Sequence, residues 1–165
     1  MMRMAAPMLS LWLVVIGCAG VLQDGRAAAA EGMGLDGWAP AAHRDEIRPG
    51  FFPEPGGGPK GQAALGIRAD DKEGLHGFWT KTFPVVGGRH YRFQAVRKTE
   101  AVACPRRSAP VQITWQDDQG QLVPGEDDLA RPEFPRDRRT DAAGWAEVSD
   151  TYFVPVKATR AVVEL

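Results

Sequence analysis

From about residue 63 to residue 165, turn-forming residues cut this chain into short segments in which apolar side chains recur at every second position. A period of two is the mark of a strand that buries one face, and glycine or proline at the segment boundaries stops a helix from running through. Ala63, Leu65, Ile67 and Ala69 alternate with Ala64, Gly66, Arg68 and Asp70. Val111, Ile113 and Trp115 alternate with Gln112, Thr114 and Gln116, and "WAEVSDTYFVP" reads as a further strand. Ala161, Val163 and Leu165 share one side of "ATRAVVEL". With 19 glycines and 13 prolines in 165 residues, the predicted class is all-β, an antiparallel β-sandwich.

The stretch "FWTKTFPVVGGRHYRF", residues 78–93, reads as two strands joined by a glycine-containing hairpin turn. In its first half Trp79, Lys81 and Phe83 share a face, which we assign inward. In its second half Tyr91 and Phe93 are expected to point inward. Residues 31–62 read as an irregular segment with at most one short strand, because its prolines block ladder hydrogen bonds and its glycines lose much entropy in a regular element. The sandwich module is assigned to residues 63–165, with part of 36–62 packed on it.

Residues 1–30 read as a signal peptide. Arg3 supplies a positive start, Met8 to Leu22 is an almost uninterrupted apolar run, and Ala27 to Ala30 offer small residues for cleavage. A permanent membrane span is not expected, since a bilayer helix needs about 20 apolar residues. "VIGC" ending at Cys18 is similar to a bacterial lipobox, which keeps lipid anchoring open beside cleavage near Ala30. The expected location is outside the cytoplasm: periplasmic, cell-surface or secreted.

Removal of residues 1–30 would leave Cys104 as the only cysteine, so no internal disulfide is expected and the domain must be held by its core. "VACPRRS" shows no neighbouring base to activate a thiolate, and Cys104 is assigned to the core or a strand edge. A formal net charge of -1 gives no basic tail for nucleic acid. His43, His76 and His90 lack zinc-type spacing, and "PGGGPKG" does not open a helix after a strand as a phosphate loop does. The carboxylates Asp70, Asp71, Asp117, Asp118, Glu126, Asp127 and Asp128 fall in turns, where local hydrogen bonding is the expected role and a structural calcium, which wants six to eight oxygen ligands, is the alternative. No metal, cofactor or catalytic residue is assigned.

The order "HGFWTKTFPVVGGRHYRFQA", "VQITWQDDQG" and "GWAEVSDTYFVPVKATRAVVEL" resembles the galactose-binding-like jelly rolls that include the CenC-type carbohydrate-binding modules. A narrower resemblance, in "GWAPAAHRDEIRP", "GFWTKTFPV" and "PRDRRTDAAGWAEVSDTY", is to the exported N-terminal sandwich that precedes a nitrilase-type carbon-nitrogen hydrolase domain in planctomycete-type proteins. That family's Glu, Lys and Cys triad has no counterpart here. The resemblance implies an accessory module, not an enzyme. "ATRAVVEL" has the alternation of an interior strand and stops at Leu165 without a turn or closing strand, so the jelly roll is expected to lack its final strand or strands, the alternative being that Ala158 to Leu165 is itself the last strand, paired on one side.

Two readings follow for what the module does. As a carbohydrate-binding module it would stack aromatic faces on a sugar ring while polar groups bond the hydroxyls. Trp38, Trp145, Tyr152, His90 and Arg92 are the candidate ligand-binding residues, with Phe52, Trp79 and His76 as further company. The alternative is a structural module packed on a hydrolase domain or a partner subunit. Residues 124–144 form the longest loop, and Arg136, Arg138 and Arg139 are its candidate docking groups.

Overall fold

The computed structural model describes residues 9–14 as strand backbone, together with residues 36–69, 72–125 and 129–165. Cys18, Ala27 to Ala30, Asp70, Asp71 and Glu126 to Asp128, singled out above, lie outside the described residues. In chain order the strands are β1 (Leu9–Val14), β2 (Ala39–Ala41), β3 (Gly50–Glu54), β4 (Ala64–Ala69) and β5 (Phe78–Pro84). They continue with β6 (His90–Glu100), β7 (Gln112–Gln116), β8 (Arg136–Thr140), β9 (Ala146–Phe153) and β10 (Arg160–Glu164), and a one-turn helix α1 spans Pro105–Ser108.

All strand pairs are antiparallel and form two sheets, ordered β3-β4-β1-β6-β9-β8 and β2-β5-β10-β7. Their inner faces meet over one core that includes Trp79, Phe93, Ile113, Trp115, Val148, Val154 and Val163. The antiparallel β-sandwich expected from period-two patterning is therefore present. Ile113 and Trp115 are buried while Gln112, Thr114 and Gln116 are half-exposed, and Ala161, Val163 and Leu165 are buried on one side of β10. That strand lies between β5 and β7, so both its backbone edges are paired.

Residues 78–93 do not form the expected hairpin. β5 pairs with β2 and β10 in the smaller sheet, whereas β6 pairs with β1 and β9 in the larger one. Trp79 and Phe93 both face the core, so the two strands oppose each other across the sandwich and the glycine connection is an arch between sheets. Alternation identifies the buried face of a strand but not its partner. The arch is fastened by Gly88 N–H donating to the Val154 carbonyl (2.9 Å) and Val86 N–H donating to the Tyr91 hydroxyl (2.9 Å). Gly87 lies so close to the Val156 carbonyl oxygen that a Cβ there would stand 2.1 Å from it.

Two strands, not at most one, come from the segment 31–62. Each carries a proline, Pro40 in β2 and Pro53 in β3, and among the described residues each lies at a sheet edge, where one side of the backbone has no ladder partner to lose. β8 forms another edge and is almost entirely polar. It takes up part of the region expected as loop.

β4 is buried on both faces at its start. Leu65 joins the main core, while Ala64 packs with Trp145 and Val96 in a second small cluster. On β4, Gly66 accepts a hydrogen bond at its carbonyl from the Trp79 indole Nε1 at 3.1 Å. A Cβ at Gly66 would meet the Phe52 ring at 2.3 Å, so the ring lies directly over the missing side chain. Cys104 is exposed rather than in the core or at a strand edge, because Pro105 starts α1 and leaves the cysteine just before it, outside any strand.

Candidate functional site

A cavity of mixed chemistry opens at the end of the sandwich where β5 begins and β10 finishes, with a volume of about 330 Å³. Its apolar wall includes Ile67, Leu75, Phe78 and Pro110; its polar groups include His43, His76, Gln112 and Glu164. The two histidines arrive on separate segments, before β3 and before β5, which are tied together by the His76 N–H donating to the Ile47 carbonyl at 2.8 Å. Their rings stack at 4.9 Å and 14°. Phe78 presents its ring to both at steep angles, 5.5 Å from His43 and 6.1 Å from His76.

Glu164 and Gln112 are supplied by neighbouring strands of the smaller sheet, where the register places them opposite each other. The Gln112 amide Nε2 donates to the Glu164 carboxylate at 3.1 Å. Burial raises the Glu164 carboxyl pKa above its ordinary value, an effect partly offset by His43 and His76. The result is a pocket with one aromatic and aliphatic side and a carboxyl, a carboxamide and two imidazoles on the other. Such groups can accept and donate hydrogen bonds to a small hydroxylated molecule. Among the described residues no group of three or more His, Cys, Asp or Glu is placed to hold a metal ion.

A second, more apolar cavity of about 210 Å³ lies near the other end of β5, lined by Phe83, Val85, Phe93, Trp115, Tyr152 and neighbours. Here the structure brings together two of the expected ligand-binding residues, Arg92 and Tyr152. Tyr152 packs against Trp115 with ring centroids 6.1 Å apart, and among the described residues its buried hydroxyl has no hydrogen-bond partner. Burial, followed by the charges of Asp150 and Glu133, raises its pKa above the ordinary tyrosine value. His90 is exposed beside this region, its ring 5.1 Å from that of Phe153.

Trp38 and Trp145 are both only 8% exposed and offer no open ring face for stacking. A tight turn at Asp36 and Gly37 delivers Trp38 into the core, where it meets Phe83 edge-on at 6.0 Å. Trp145 is fixed by the Asp141 turn, whose carboxylate accepts its backbone N–H at 2.9 Å. The first turn points Trp38 into the core between the sheets, and the second lays Trp145 against Ala64 and Val96 in the smaller cluster. Trp79 is core, and Phe52 is half-buried beneath the Arg68 guanidinium, which lies 4.8 Å from its ring centre.

Arg136 and Arg138 are already engaged within the larger sheet. Arg136 makes a two-pronged contact with Asp150 at 2.7 and 3.0 Å, while Arg138 bonds the Ser149 carbonyl at 3.1 Å and approaches Asp150 at 3.4 Å. Asp117 uses its carboxylate to accept the N–H groups of Gln119 and Gln121, at 2.9 and 2.8 Å, which is the turn chemistry expected of it.

Sequence reading did not find Phe78 or Glu164, and it weighed His43 only as a zinc ligand and Gln112 only as a solvated strand residue. Their meeting depends on which strand ends converge, and no local pattern carries that. Comparison with protein-family models, with curated proteins and with solved structures returned no match for this chain. The antiparallel sandwich and its end cavity therefore define the protein only as an all-β domain with a mixed polar and apolar pocket. Among the described residues no helix is long and apolar enough to cross a membrane.

Proposed function

We propose that this chain is an exported, non-catalytic accessory module, a galactose-binding-like jelly roll of the CenC type, that binds a carbohydrate in the cavity between His43, His76, Gln112 and Glu164. One observation carries the reading: the pocket sets an apolar wall, Phe78 and Leu75, against convergent hydrogen-bonding groups. A sugar ring has the matching two-sided chemistry, one face of C–H groups and a rim of hydroxyls. On this reading the site is the end cavity and not a row of exposed aromatics on a sheet face. The location is periplasmic, cell-surface or secreted, with cleavage near Ala30 or anchoring at Cys18 as the two routes out.

The test is retention of the full chain on a panel of insoluble polysaccharides, with chemical-shift mapping of soluble oligosaccharides that compete. Retention that is lost in Gln112→Ala and in His76→Ala, both of which still unfold cooperatively, is the expected result. No retention on any glycan would reject the carbohydrate reading.

A second reading is favoured by a different observation. Leu122, Leu129 and Phe134, close in sequence, are 56%, 54% and 50% exposed, large apolar side chains that a docked partner could cover. That segment would then pack on a hydrolase domain or partner subunit of the same exported protein. Loss of such docking in a Leu122→Ser/Phe134→Ser variant would support it.

A further inference from the structure

The larger sheet is held together by a strand from far away in the chain. β1 pairs along one side with β4, from Leu9 opposite Ala69 to Leu13 opposite Leu65. Along its other side it pairs with β6, from Ser10 opposite Glu100 to Val14 opposite Val96. Both pairings are antiparallel, so β4 and β6 run in the same direction and stand about two inter-strand spacings, roughly 9.6 Å, apart. The space between them is one strand wide. Without an occupant the sheet divides into β6-β9-β8 and the ribbon β3-β4. A two-stranded ribbon has little stability of its own in water, and both facing edges would present unpaired backbone groups.

No tight turn places β1 there. Residues 15–35 separate it from the next described segment, and its two partners begin at residues 64 and 90. Its position therefore depends on the fit of an extended segment into the slot and not on a local connection. The sequence that fits, "LSLWLV", is almost wholly apolar. It also belongs to the run read above as the hydrophobic part of an export leader.

We infer that the space between β4 and β6 is a strand-acceptor site, filled in the full chain by that chain's own Leu9–Val14 segment. The chemistry it selects is an extended, apolar, unbroken backbone running antiparallel to both walls, with main-chain hydrogen bonds supplying the affinity. If the leader is cut away, as the proposed export route has it, the same site becomes open to an apolar strand from another polypeptide. Processing and sheet closure are thus linked, whereas the slot itself does not depend on the function proposed above.

The experiment uses the uncleaved full chain made in a system without signal peptidase, and reads backbone hydrogen exchange. The parent is expected to protect amides in residues 65–69 and 96–100. Leu11→Pro/Leu13→Pro, which removes two ladder donors from β1, should raise exchange in both stretches about a hundredfold. A synthetic peptide of residues 9–14 with added terminal lysines should restore protection in both. Equal protection in parent and variant would overturn the inference, as would a variant that the peptide fails to rescue. Should the variant not fold, the isotope-labelled peptide is incubated with the parent: displacement of the chain's own strand, seen as labelled peptide bound with both stretches still protected, supports the site. Absence of any bound peptide at millimolar concentration rejects it. A parent that is dimeric, and whose protection at β4 and β6 collapses on dilution, would place a second copy's strand in the slot and overturn the assignment to the same chain.

Discussion

The Arg97 guanidinium, 3% exposed, lies 2.5 Å from the Asp137 carboxylate and also donates to the Ala109 carbonyl at 2.7 Å. One buried cation thereby links β6 to the edge strand β8 and to the segment that follows α1. Removing only the acid leaves a buried charge short of its counter-ion, which is costlier than replacing the cation by an apolar side chain of similar length. Asp137→Ala should lose about 3 kcal/mol of unfolding free energy, and Arg97→Met should lose less. Urea titration of both variants checks the order.

Glu164 gives a pH dependence whose sign follows from its burial. Its folded pKa is raised, so the folded state holds the proton more tightly than the unfolded chain. That contribution is full below the ordinary carboxylate pKa and is lost as pH rises through the folded value. Glu164→Gln should flatten the decline in stability that the parent shows from about pH 4 upward. Thermal melts from acid to neutral pH read the difference, and an unchanged profile in the variant would contradict it.

Asp150 behaves in the opposite sense. The hydrogen bond from Arg136 lowers its pKa, so its contribution is present above the ordinary carboxylate value and disappears as pH falls through the lowered one. Asp150→Asn should cost under about 1 kcal/mol at neutral pH and nothing in strong acid, because the pair lies at the surface.

Tyr152→Phe should hold or gain stability, by up to about 1 kcal/mol, since it deletes a buried hydroxyl that has no partner while keeping the ring against Trp115. Tyr91→Phe should lose a comparable amount, because its hydroxyl accepts the Val86 N–H that fastens the arch. Parallel denaturant titrations of the two variants give the comparison.

Gly66→Ala and Gly87→Ala place a methyl against different obstacles. At Gly66 the obstacle is the Phe52 ring, which can turn aside, and a loss of about 1–3 kcal/mol is expected from overpacking. At Gly87 it is the backbone of Pro155 and Val156, which cannot move without opening the arch, so this variant should be the less stable of the two. Phe52→Leu should restore part of the Gly66→Ala loss and none of the other.

Period-two patterning located β4, β5, β6, β7, β9 and β10 because each buries one face against a common core. It failed where strand identity rests on something other than burial. β2 and β3 carry prolines tolerated only at an edge, and β8 is a polar edge strand with no apolar rhythm to read. The pairing of β5 with β10 instead of β6 is equally invisible locally, since both arrangements bury Trp79 and Phe93. Of the expected site residues, Tyr152 and Arg92 line a cavity, whereas Trp38 and Trp145, each beside a glycine turn, are buried in two different clusters.

The outermost strands of both sheets share a property that concerns neighbouring molecules more than this one. Pro40 and Pro53 take one hydrogen-bond donor out of each of two margins, and β8 lines a third with arginines. The fourth margin, along β7, is crossed by backbone bridges from Ile113 to Glu133 and from Gln116 to Leu122. Among the described residues, an incoming strand finds at these margins a missing donor, a row of polar side chains or an already covered carbonyl. Copies of the full chain, with Leu9–Val14 seated between β4 and β6, would meet margins ill suited to strand addition even when crowded, and that protection rests on the central strand keeping its place.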